Sequence, residues 1–287
     1  MFNKRHIVRT IAATVSILAL SFTAACGSGQ STASNSTDSD DITQQTYKPG
    51  KLTIATGQPA YEPWVMNDKP ESGEGYEAAV AYAVADKLGF KKSDVVWTRT
   101  AFDTAIAPGA KDWDFNIQQF GITDERKKAV DFSSSYYNDS QSVVVKKDSK
   151  CANATKGSDL KDATVGVMVG TLAYDYAKAN IKDDIQTFND DAALAQALDA
   201  GQIDALVTST VECVYMVQSE QVKDAKVLGR LPDSEDKSGM GIVLPKDSKL
   251  TAAVTKAVDD LNADGTIKKL QDKWLAEYTT DLTELKK

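Results

Sequence analysis

Along the chain from residue 51, short apolar runs alternate with stretches whose apolar positions recur every third or fourth residue. The runs at 52–55, 95–97 and 115–117 predict strands. Between them, 76–88 predicts a helix with Val80, Val84 and Leu88 on one face and Gly89 beyond its end, and 102–106 starts another. The alternation then repeats, with strands at 164–169, 185–188 and 203–207 and helices at 172–179 and 192–199. A local echo accompanies it: Gly109-Ala110-Lys111-Asp112-Trp113-Asp114-Phe115 parallels Gly201-Gln202-Ile203-Asp204-Ala205, each a helix end followed by an apolar residue and an aspartate that open a buried strand. The last part predicts a strand at 241–245 and helices at 251–261 and 266–278, with a turn at Asp264-Gly265. Alternating strands and helices imply a mostly parallel sheet flanked by helices, and the repetition implies two similar α/β lobes.

The pattern is different before residue 51. Lys4, Arg5 and Arg9 precede an apolar segment at 11–22, about a dozen residues and too short to span a bilayer, which takes roughly 20. Thr23-Ala24-Ala25 then leads to Cys26-Gly27. This resembles the bacterial lipobox, in which the leader is cut before a cysteine that carries lipid, although Thr23 stands where leucine is usual. Residues 1–25 are therefore expected to be a signal peptide, with ordinary cleavage near Ala25 as the alternative, and Cys26 the site of lipid attachment. Residues 26–50 are rich in Ser, Thr, Asn, Asp and Gln and are expected to form a flexible tether.

Charge and composition then narrow the function. The 287 residues suggest two domains, and the net charge of −8 argues against nucleic acid or an anionic membrane surface as a partner. The single histidine, His6, lies in the leader, so a mature chain would have none for Ser-His, Cys-His or His-metal chemistry. No metal and no cofactor is expected. Asp260 to Gly265 imitates the start of a calcium loop, but Gln271 stands where its bidentate glutamate belongs. Cys151 and Cys213 could pair in an oxidising compartment, or Cys213, in an apolar run, could be a buried thiol.

Ligands of open α/β sheets bind beyond the carboxyl ends of the strands, so Gln118 and Gln119 in one lobe and Thr208 and Ser209 in the other should line a shared cleft. Thr123 reads as the N-cap of a helix running through Val130, with Arg126 in its first turn. A cation there is unfavourable against the helix dipole and makes sense if it binds an anion; a solvated arginine is the other reading. Gly170-Thr171, after a strand and opening a helix, is a second place for a carboxylate, or simply a capped helix.

Ile122-Thr123-Asp124-Glu125-Arg126-Lys127-Lys128-Ala129-Val130-Asp131-Phe132-Ser133, with Tyr136-Tyr137 after it, resembles the signature of the family 3 extracellular solute-binding proteins, which deliver polar amino acids to ABC importers. Tyr61-Glu62-Pro63-Trp64, Gly75-Tyr76-Glu77, Val165-Gly166-Val167 to Gly170-Thr171, and Asn262-Ala263-Asp264-Gly265-Thr266 with Trp274 follow the same family order. The resemblance implies a type II periplasmic-binding-protein clamp with hinge crossings near 138–140 and 237–239, giving lobe I as 51–138 and 240–287 and lobe II as 139–239. It also implies that Arg126 grips the ligand's α-carboxylate with help from Gly170, Thr171 and local amides, and that Tyr61 and Phe102 sandwich its side chain. Trp64, Glu77, Gln118, Gln119, Gly121 and Ser209 complete the expected ligand-binding set.

Two positions depart from the family. Ser209 stands where an aspartate usually receives the ligand's ammonium group, leaving Glu77, Glu62 or Glu212 to take over, or a ligand that is not a standard α-amino acid. Gly57 replaces an aspartate that often faces cationic side chains, which disfavours lysine or arginine. The expectation is an extracytoplasmic, lipid-anchored, monomeric binding protein, not an enzyme, that captures a small polar amino acid or related carboxylate and hands it to the transmembrane subunits of an ABC importer. The alternatives are a dehydratase-like enzyme that uses carboxylates on the same scaffold, and a ligand-presenting partner of a membrane sensor.

Overall fold

The computed structural model describes residues 41–279 and 282–287; the leader, Cys26 and the start of the tether lie outside them. Among the described residues ten strands occur in chain order: β1 (Leu52–Thr56), β2 (Val95–Arg99), β3 (Phe115–Asn116), β4 (Val130–Tyr137), β5 (Gln141–Lys146), β6 (Val165–Met168), β7 (Gln186–Phe188), β8 (Ala205–Ser209), β9 (Ala225–Arg230) and β10 (Met240–Pro245). The α-helices are α1 (Tyr76–Lys87), α2 (Phe102–Ile106), α3 (Leu172–Asn180), α4 (Asp191–Asp199), α5 (Thr210–Gln218), α6 (Thr251–Ala263) and α7 (Thr266–Trp274).

The strands form two five-stranded sheets of the same plan, β2-β1-β3-β10-β4 and β7-β6-β8-β5-β9. In each, four strands run in one direction and one, β10 in the first sheet and β5 in the second, runs antiparallel between the third strand and the edge strand. β1, β2, β3, β6, β7, β8 and β10 are legible in the sequence; β4, β5 and β9 are not. Both faces of each sheet are covered. Leu52 and Ile54 pack under α1 and α6, where Val254, Ala257, Val258 and Leu261 make a buried stripe at helical spacing, while Ala55 packs on the other side with Phe120 and Val243. In the second sheet Val143, Val165 and Val207 pack with α3, and Val144 and Leu206 pack oppositely with α4 and α5.

Four expectations are corrected. Residues 41–50 are not a free tether: Ile42–Gln44 form a 3-10 turn capped by Asp41, Ile42 packs on the first core, Thr46 is buried, and the Tyr47 amide donates to Asp114 Oδ1 at 2.6 Å. The helix expected from Thr123 to Val130 shrinks to one 3-10 turn, Arg126–Lys128. Thr123 is not its N-cap, a position held by Glu125; the Thr123 hydroxyl accepts from the Arg126 amide at 3.1 Å, and the run from Val130 pairs with β10 instead. Cys151 and Cys213 are free and pack on opposite faces of the second sheet, so that sheet stands between them. The assignment of 240–287 to lobe I fails at its end: Leu285 is buried in the second lobe's core, its amide donates to Arg230 O at 2.8 Å, and the Lys286 amide donates to Thr155 O at 2.8 Å. The chain therefore crosses between lobes at 138–140, at 231–239 and again near its C-terminus.

Candidate functional site

Three helices of the second lobe begin at the carboxyl ends of its parallel strands, each with a side-chain cap. Thr171 Oγ1 accepts from the Tyr174 amide at 3.2 Å, Asp190 Oδ1 from Ala193 at 2.8 Å, and Ser209 Oγ from Glu212 at 3.3 Å. Their first turns face the first lobe across a cavity. Its setting, between lobes and at strand ends, suits a small-molecule site. Of the residues singled out from the sequence, Tyr61, Trp64, Phe102, Gln118, Gln119, Gly121, Arg126, Thr171 and Ser209 line it, as do Gly57, Thr208 and Glu212.

Arg126 is the cavity's guanidinium. Its Nη1 donates to Gly121 O at 2.6 Å in its own lobe, and Nη2 donates to Gly170 O at 2.8 Å in the other. Its guanidinium carbon lies 5.5 Å from the Phe102 ring centroid, and Phe102 stacks on Phe120 at 4.5 Å, so the expected aromatic wall is also a platform for the cation. Burial lowers the Arg126 pKa from its ordinary value, and Asp175 and Asp236 oppose that shift. Further contacts join the lobes here: Trp64 Nε1 donates to Glu212 Oε2 at 3.0 Å, and the Ala192 amide donates to Tyr61 Oη at 3.4 Å.

Two residues expected to touch ligand do something else. Gly170 does not line the cavity; it offers Arg126 its carbonyl rather than a carboxylate its amide. Glu77 is wholly buried behind the wall, where it accepts from the Gln119 amide at 2.7 Å and from the Gln119 side chain and the Tyr136 hydroxyl. It thereby holds Gln119, whose φ is +52°, at the cavity edge. Burial pushes its carboxyl up to about 7. Glu62 is also removed from the cavity, accepting from the Asn67 amide and the Tyr215 hydroxyl.

The sequence reading missed Asp139, Gln141, Asp191 and Asp236, which all line the cavity. Asp191 follows a strand and opens α4, so the strand-end rule applied to β3 and β8 would have found it had it been applied to β7. Asp139, Gln141 and Asp236 lie in or beside the crossings, where neither periodicity nor motif marks them. Asp236 Oδ2 is buried without a partner, while Oδ1 accepts from the Ser238 and Gly239 amides at 3.1 Å.

A family model described as bacterial extracellular solute-binding proteins, family 3, matches residues 52–277. The L-arginine-binding protein of Pseudomonas aeruginosa is 29% identical over 245 residues, 80% of this chain and 88% of that protein. The L-cystine-binding protein TcyJ of Escherichia coli is 30% identical over 223 residues, covering 77% and 81%. Among solved structures, an ancestral arginine-binding protein bound to arginine superposes with a TM-score of 0.67 at 31% identity, covering 78% of this chain and 98% of that one. The architecture is the two-lobed clamp of the type II periplasmic binding proteins.

Proposed function

Because the chain belongs to family 3 of the bacterial extracellular solute-binding proteins, we propose that it captures a small polar amino acid or related carboxylate in the cavity between its lobes and presents the closed form to an ABC importer. The observation that carries this reading is Arg126, whose two terminal nitrogens reach a carbonyl on either lobe. A ligand carboxylate competes for those same donors as a bidentate, charge-assisted partner, next to the first turn of α3. Such a ligand makes its full set of contacts only when the lobes are together, and so shifts the population toward closure. Lipid on Cys26 would keep the clamp at the membrane, and the monomer would meet the importer through its outer faces.

The test is thermal unfolding and calorimetric titration against the standard L-amino acids and L-cystine. A ligand bound only to the folded form raises the melting temperature by mass action. Arg126→Ala should cost about 2–5 kcal/mol, roughly 30- to 5,000-fold in affinity, and Arg126→Lys should not restore it because the two-pronged geometry is lost. Binding of an uncharged solute with no response to any carboxylate would refute the role given to Arg126. Carboxylate catalysis on the same scaffold has a specific feature in its favour, the acids lining the cavity, two of them raised to about 6. It predicts that a bound amino acid is consumed on incubation, whereas capture predicts its recovery unchanged.

A further inference from the structure

Ser209 leaves the cavity without the carboxylate expected at that position, yet the wall around it is acidic. Asp139, Asp191 and Glu212 line the cavity from three elements: the 138–140 crossing, α4 and α5. They are not equivalent. Asp139 is satisfied within the protein: Oδ1 accepts from the Ser140 amide at 2.7 Å, Oδ2 from the Val211 amide at 3.4 Å, and the Ser209 hydroxyl donates to it as well. Asp191 accepts one bond, from Thr208 Oγ1 at 3.3 Å. Glu212 is 4% exposed and accepts one bond, through Oε2 from Trp64. The charges acting on these two are themselves negative: Asp190 on Asp191, and Asp191, Asp139 and Glu77 on Glu212. Arg126 is engaged with Gly121 O and Gly170 O and faces Asp175 and Asp236.

Two neighbouring under-bonded carboxylates, Glu212 buried and Asp191 half-buried, are unfavourable unless a cation or a proton joins them. A metal ion fits poorly, since among the described residues no three acidic, cysteine or histidine groups converge as ligands would. An ammonium group fits better: it has three donors, Glu212 and Asp191 each have an oxygen to spare, and both lie beside the Thr208-Ser209 edge. Resting on the reading of this cavity as an amino-acid site, we propose that Glu212 and Asp191 together receive the ligand's ammonium group in place of the aspartate absent at Ser209, and that one proton leaves the pair for solvent as the ligand enters.

The remaining surroundings agree. The pair is faced by Asp190 from the cap of α4, Asp139 from the crossing, Glu77 from α1, and Trp64 and Tyr61 from the first lobe. None of these is a cation, so the proton is what neutralises the pair in the empty cavity. Burial raises both acids above their ordinary values, and the charge of Asp191 raises Glu212 further, so the proton of the pair resides on Glu212. A zwitterionic amino acid supplies one carboxylate to Arg126 and one ammonium to the pair. The ligand class is therefore an α-amino acid rather than a simple carboxylate.

The experiment uses the amino acid, among the twenty standard ones and L-cystine, that stabilises the wild type most, together with its des-amino counterpart. Both are titrated calorimetrically into wild type, Glu212→Gln and Asp191→Asn at pH 5, 6, 7 and 8. The amino acid should bind wild type more tightly as pH rises. Each substitution should weaken it at pH 8 by roughly 10- to 100-fold and flatten the pH dependence. Affinity for the des-amino compound should be the same in all three proteins, and the ligand-free variants should melt no lower than wild type. Each variant removes one of the two charges, so either one that folds decides the matter. Unchanged amino-acid affinity in the variants, or an equal loss for the des-amino compound, overturns the assignment and leaves amino-acid capture standing. No binding of any amino acid to wild type overturns both.

Discussion

Glu77→Gln separates the framework behind the cavity from the cavity itself. Glu77 is fully buried, and its carboxyl moves from 4.5 to about 7, chiefly through burial, against donors from Tyr136 and Gln119 that favour its charge. Folding thus favours the protonated form. The stability this contributes is complete below the unfolded value and is lost as pH rises through about 7, a displacement equivalent to about 3 kcal/mol. Glutamine cannot lose that proton, yet it keeps an oxygen for the Tyr136 hydroxyl and the Gln119 amide, and the Gln119 side chain can turn to accept from its new NH₂. Urea unfolding at pH 5, 6, 7, 8 and 9 should therefore show wild type losing stability relative to Glu77→Gln by about 3 kcal/mol across the range. Asp139 and Asp191 titrate in both proteins and cancel in the difference, and Glu212 adds only the part of its shift that Glu77 causes, which ranks behind burial and Asp191. Parallel profiles would mean that Glu77 carries its charge in both states, and the argument from its burial would be wrong.

Cys151 and Cys213, free and buried on opposite faces of one sheet, should resist a thiol reagent in the native protein and both react in denaturant without reductant; a mass two hydrogens lighter before denaturation would show a bridge. Leu285→Ala should cost about 2–4 kcal/mol in urea unfolding, because the C-terminal tail packs into the second lobe's core; a cost near zero would return the tail to solvent. Cys26→Ser should move the protein from the membrane fraction to the medium and abolish incorporation of labelled fatty acid, an outcome that ordinary cleavage near Ala25 would not produce.

Seven of the ten described strands and most helices could be read in the sequence because each carries its own signal: a short apolar run, a stripe at helical spacing, a cap or a terminal glycine. The helix expected after Thr123 failed where two signals competed. A capping threonine followed by Asp124 and Glu125 favoured a helix, while the run from Val130 to Tyr137 favoured a strand, and pairing with β10, more than a hundred residues later, decided it. The dipole argument first offered for Arg126 goes with that helix, since a single 3-10 turn has little dipole. What places Arg126 in the cavity is the pair of carbonyls it reaches, and one of them belongs to the other lobe.

Charge compensation was the harder part to read. The departure at Ser209 is visible in the sequence, and three glutamates were open as substitutes, but nothing in their spacing separates them. Packing does. Glu77 is occupied by Gln119 and Tyr136, Glu62 by Asn67 and Tyr215, and Glu212 remains inside the cavity with a single donor. Its companion Asp191 comes from a different strand-helix unit and is tied to the end of β8 by Thr208 Oγ1, which donates to Asp191 Oδ1 at 3.3 Å. A buried charge lost from one helix start can thus be replaced from neighbouring ones with no trace at the original position, since a buried ammonium responds to total nearby negative charge and donor geometry rather than to which strand supplies it.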